Sequence, residues 1–236
     1  MAKTLKQLCD AAREELGWDA PNVYASATDP DGKQTFRLAN RQGHDLSQED
    51  VVWQALKTEE TITLVAATQS YALPSDYRYM VPGSEWDQDA QRRVLGPLTP
   101  RLWAMEEYGG VVFGLNWRYE IRNGNVVIQQ AVAAGDAGAI ISYEYVSSHW
   151  AKDSGGTAKA EFTTDTDTQR FDDDLFIAGI MWRLKQAKGF PYEVELAEYV
   201  RRLNRIKARD GGMADVWFVP PMETLDPNIA ETGYGL

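Results

Sequence analysis

Between residues 4 and 16 the apolar positions Leu5, Leu8, Cys9, Ala12 and Leu16 recur at steps of three and four, the spacing of one helix face. Thr4 stands at the N-cap position and Gly17 where such a helix ends. The next stretch, WDAPNVYASATDPDG, holds the turn formers Asp19, Pro21, Asp29-Pro30 and Asp31-Gly32 and reads as a loop. Helical spacing returns from Lys33 to about Lys57, through Phe36, Leu38, Ala39, Leu46, Val52, Ala55 and Leu56. The run Asp45 to Glu49 is the place where it can break.

At Thr58 the period changes. ETITLVAATQSYALP alternates, with Ile62, Leu64, Tyr71 and Leu73 on preferred faces, and predicts strand, loop, strand. WRYEIRNGNVVIQ predicts a hairpin about Asn123-Gly124, and Ala139 to Val146 a further strand. Between them PLTPRLWAMEEYG predicts a short helix over the sheet, with Pro100 in its first turn and Gly109-Gly110 at its end. AKDSGGTAKAEFTTDTDTQ is polar and glycine-containing, an extended loop by its composition. Two helices follow. The first carries two adjacent apolar stripes (Leu175, Ala178, Trp182; Phe176, Ile180, Leu184), which implies burial against at least two other helices. Pro191 opens the second, where Val194, Ala197, Val200, Leu203 and Ile206 form a stripe, widened by Leu196 and Tyr199, that reads as packing within a helical bundle.

The pattern predicts an α+β fold in which both ends of the chain build one antiparallel helical bundle, residues 1–60 and 170–212. Residues 61–169 form an inserted small antiparallel β-domain with a long exit loop, and residues 213–236 an extended C-terminal arm. That arm has no Lys or Arg and carries Val216-Trp217-Phe218-Val219-Pro220-Pro221, large apolar groups with no evident place in their own core. Two readings are open, packing back onto its own domain and docking in a groove on another subunit.

Charge narrows the partners. Against 35 Asp and Glu there are 24 Lys and Arg, a formal net charge of −11. Such a surface does not grip nucleic acid, which needs clustered cations, but lets DNA pass without sticking. One cysteine, Cys9, excludes an intramolecular disulfide and a cysteine zinc cluster. No leader-like segment and no apolar run of membrane-spanning length occurs, so the chain reads as a soluble protein made in the cytoplasm.

The densest gathering of ligand-type residues is DTDTQRFDDD, Asp165 to Asp174. Read as a calcium loop from Asp165 it meets two of five requirements, with Arg170 in the glycine position and Phe176 in the glutamate position. Asp172, Asp173 and Asp174 are consecutive, so on a helical turn they fan out and cannot all face one ion. A helix entrance accounts for them, through N-capping and the positive end of the dipole. His44 and His149 lie far apart, and the nucleophile-elbow, P-loop and dinucleotide fingerprints are absent. No catalytic residue, metal site or cofactor is assigned. Trp53, Trp103 and Trp182 fall on apolar faces and read as core.

Three segments, in order, resemble the bacteriophage head-to-tail adaptor family, also called connector or tail tubular proteins: Trp53-Gln54-Ala55-Leu56, then QSYALPSDY with PLTPRLW, then WRLKQAKGFPY followed by a helix closing on Arg209-Asp210. The resemblance implies a non-enzymatic virion protein at the neck, assembled in the host cytoplasm. It would form a ring, typically of twelve copies, under the portal protein, with tail, nozzle or tube protein below and double-stranded genome DNA crossing the lumen. It further implies that Trp217, Phe218, Val219, Pro220 and Pro221 dock on the portal, and that Asp165, Asp167, Arg201 and Arg205 lie at the ring interface. A tail-tube or tail-completion protein of the same particle is the competing structural role. A metal-dependent hydrolase built on the acidic cluster is the competing enzyme.

Overall fold

A computed structural model describes residues 2–49, 51–109 and 115–210. The chain is α+β, with five helices and antiparallel sheets among the described residues, and it divides into two compact units. Residues 2–57 and 146–210 make the helical unit, and residues 58–145 the β unit.

In the helical unit α1 (Leu5–Glu15) opens on a full capping box, Thr4 accepting from the backbone of Gln7 and Gln7 reaching back to Thr4. Helix α2 (Pro30–Ser47) begins where a turn was expected. Asp29 caps it, accepting from the Gly32 amide at 2.6 Å, and Pro30 takes the first turn, where its missing N–H costs nothing. It stops at Ser47, short of the expected Lys57, and a 3-10 turn at Gln54–Leu56 leads out. Helices α4 (Asp173–Lys188) and α5 (Glu193–Asp210) are joined through Gly189, whose φ of 75° closes α4 in the left-handed conformation.

Helix α4 is the centre, packing against α1, α2 and α5 as its two stripes require. Leu175, Phe176, Ile180 and Leu184 are fully buried. Beside them sits Trp150, 1% exposed, edge-on to Phe162 at 4.7 Å and pressed so close to α2 that a Cβ on Gly43 would fall 2.2 Å from its ring. Of the tryptophans expected in the core only Trp53 is buried; Trp103 and Trp182 are half-buried, and the large buried indole is Trp150. Helix α5 also departs from expectation. Tyr199 and Leu203 face inward, while Val194 (77% exposed), Ala197 and Val200 (43%) point to solvent.

The segment after residue 145, expected as a bare loop of the β-domain, belongs to the helical unit and carries three two-residue strands. They are β9 (Ala151–Lys152), β10 (Ala158–Lys159) and β11 (Thr168–Gln169), paired antiparallel in the order β10-β9-β11.

Among its described residues the β unit holds two sheets. One joins β1 (Lys57–Thr63), β8 (Ile140–Ser147), β4 (Trp86–Asp87) and β5 (Arg92–Arg93) in that order, with β3 (Tyr77–Met80) also on β8. The other is β2 (Ser70–Ala72), β7 (Asn125–Ile128) and β6 (Tyr119–Arg122). Positive φ at both Asn123 and Gly124 makes the β6–β7 turn of the hairpin type, with Ile121 opposite Val126. Ile62, Leu64, Tyr119, Val126, Ile128, Ile141 and Tyr143 fill the core. Helix α3 (Pro100–Gly109) forms at the expected place but contributes no buried side chain among its described residues; Met105 and Tyr108 are exposed.

Candidate functional site

The acidic segment is where the two halves of the helical unit are tied together. Asp172 is the N-cap of α4, accepting from the Leu175 amide at 3.0 Å. Asp173 accepts from the Lys3 amide at 3.2 Å and from the Gln169 side chain. Asp165, in the loop before, accepts from the backbone amides of Tyr24 at 3.1 Å and Ala25 at 2.8 Å. The backbone carbonyls of Asp165 and Asp167 accept from Lys6 and Leu5, and so serve the orphan N–H groups at the start of α1.

Asp167 is 1% exposed. One of its carboxylate oxygens accepts from the Lys159 ammonium at 2.7 Å and the Thr163 and Thr164 amides at 2.6 and 2.9 Å; the other accepts from the Thr164 hydroxyl at 2.7 Å. Burial alone would raise its pKa, but these donors outweigh it and hold the carboxyl down at about 2. Each of these contacts is within the chain. Among the described residues no group of three or more potential ligands converges on a metal position.

A second polar cluster crosses the helices. Arg183 of α4, 6% exposed, donates to Gln42 Oε1 at 2.8 Å and Asp45 Oδ2 at 2.7 Å, and Gln42 donates to the Tyr199 hydroxyl at 3.1 Å. These groups satisfy one another and tie α2, α4 and α5 together. Nearby ion pairs explain the WRLKQAKGFPY segment: Lys185 holds Glu195 across the α4–α5 turn, and Lys188 holds Asp31 at 2.5 Å. An open groove at this corner is lined by Arg13, Trp18, Asp19, Asp31, Lys188 and Phe190. Two cations face two carboxylates there, which leaves no net charge to select an anion. Among the described residues neither histidine side chain is paired with a nucleophile: His44 is exposed beside Asp45, and the His149 backbone accepts from Arg170 and donates to the Ser147 hydroxyl.

The outward face of α5 is the surface these clusters leave free. Arg201, Arg205 and Arg209 are exposed at successive steps of four and make no ion pair with any described residue. Their helix neighbours are engaged, Arg202 with Glu198 and Lys207 with Glu49. Towards the N-terminus the same side shows Val194, Ala197 and Val200. Of the residues expected at a ring interface, Arg201 and Arg205 therefore stand on an open face, whereas the carboxylates of Asp165 and Asp167 are occupied within their own chain. The expected docking residues Trp217, Phe218, Val219, Pro220 and Pro221 lie outside the described residues. Sequence reasoning missed the apolar part of the α5 face because a three-residue apolar repeat resembles a core stripe. The signal against it was Tyr199 and Leu203, four apart and bulkier.

The family model for the SU10 adaptor protein matches residues 3–219. The chain belongs to the SU10 adaptor protein family. Membership makes it a phage adaptor and a structural protein, as the resemblance implied. No curated protein matches the chain significantly. Among the described residues of this adaptor no helix is long and apolar enough to cross a membrane.

Proposed function

We propose that the protein is a virion head-to-tail adaptor that assembles as a ring beneath the portal, joins the DNA-filled head to the tail components below, and leaves a lumen through which the genome passes. The match to the SU10 adaptor protein over residues 3–219 carries this reading, since it spans both units and runs into the C-terminal arm. Two features support it. The net charge of −11 suits a wall that DNA passes without adhering. The arrangement of α5, apolar at one end and at the other basic with no ion pair among the described residues, suits contact with protein rather than solvent, and Arg201 and Arg205 are assigned to the ring contact. Trp217, Phe218, Val219, Pro220 and Pro221 are assigned to the portal.

The test is co-sedimentation of the full chain and of a chain lacking residues 213–236 with the portal of the same phage. Binding by the full chain and its loss on truncation is the expected result. Undiminished binding by the truncated chain would remove the portal role of the arm. A full chain that self-assembles into tubes and ignores the portal would favour a tail-tube role instead.

A further inference from the structure

A closed ring of identical copies uses two different surfaces of each chain, one meeting the other on the next copy. On a chain of net charge −11, most pairs of surfaces repel, so the unpaired basic part of α5 is the natural meeting point for an acidic surface. The helical unit offers one. Glu14 and Glu15, at the end of α1, are both exposed and make no hydrogen bond or ion pair through their side chains with any described residue. Helices α1 and α5 each pack on α4 and scarcely on each other, so their exposed faces are two separate surfaces of the unit. That is the placement a head-to-tail contact requires.

We infer that the outward face of α5 in one copy packs against the outer face of α1 in the next, with Arg201 and Arg205 meeting Glu14 and Glu15 across the border between copies. This rests on the ring reading above. Val194, Ala197 and Val200 supply apolar area for the contact, and half-buried Ala11, one turn before Glu14 and Glu15, leaves room for a close approach. The charges fix which faces pair, and the apolar groups are covered once they do.

The test uses full-length chains with the portal of the same phage, rings being counted by electron microscopy. The variant R201E/R205E presents acid to acid, and E14K/E15K presents base to base. Each alone is expected to lose rings at least tenfold. Mixed in equal amounts the two should assemble again as alternating rings, because each border between unlike variants joins unlike charges. Melting followed by circular dichroism should match the parent for both, since all four side chains are exposed. If either variant alone forms rings like the parent, or the mixture does not recover them, the α5–α1 contact is overturned while the ring stands. If the parent forms no ring, the ring reading itself falls.

Discussion

Asp167 offers the sharpest test of how the helical unit is held. Its carboxyl lies at about 2 in the folded chain against an ordinary 3.8, a difference equivalent to about 2 kcal/mol of folding free energy. Replacing Asp167 with Asn removes that contribution and turns an amide N–H₂ towards donors that need an acceptor, so the total cost is about 3 kcal/mol. For a unit of this size that is a fall in Tm of roughly 10 °C. The dependence on pH has a definite sign. A depressed carboxyl pKa contributes fully above about pH 4, and the contribution fades as pH falls through about 2. Urea unfolding of parent and D167N should therefore differ by about 3 kcal/mol at neutral pH, and the gap should narrow on approaching pH 2. A gap below about 0.5 kcal/mol at neutral pH, within the scatter of ordinary surface substitutions, would refute the account. So would a gap that does not change with pH.

Two further substitutions probe the packing around α4. Gly43→Ala places a methyl 2.2 Å from the Trp150 ring and should cost about 3 kcal/mol in a denaturant melt, because neither α2 nor a fully buried indole has room to move; a neutral result would mean the ring can shift. Arg183→Met keeps the stem but leaves the fully buried Gln42 Oε1 without its donor, and should lower stability by about 2 kcal/mol, with Asp45→Asn costing less because Asp45 is half-exposed and has Arg41 beside it.

Much of this architecture was written in short-range pattern. Thr4, Asp172 and Gly189 do at the helix ends what their chemistry predicts, and Asn123-Gly124 turns the hairpin it signals. Asp29-Pro30 misled because the same pair suits a turn and a helix start; the decision lies with Gly32 and Thr35, whose burial pulls the segment into α2. Strands β9, β10 and β11 have two residues each, too few to show a period, and exist because their partners across the loop hold them. The roles of Asp165 and Asp167 were equally invisible: the donors to Asp165 stand at Tyr24 and Ala25, which only tertiary structure brings to the loop, and those to Asp167 are Lys159, Thr163 and Thr164 of its own segment, whose folding back no period announces. The open face of α5 was hidden for the opposite reason: nothing local distinguishes an apolar stripe that meets its own core from one that does not.

The discontinuity of the helical unit has a consequence for synthesis. Leu5, Leu8 and Leu46 need α4, which ends at Lys188, and α2 ends at Ser47. At ordinary ribosomal speeds the first two helices wait roughly 7 to 30 seconds for the third. During that interval the β unit can finish folding while α1 and α2 show their apolar faces to the cell. The N-terminal helices are thus the part of the nascent chain longest without their packing partner, and slowing translation within residues 58–145 should lower its soluble yield.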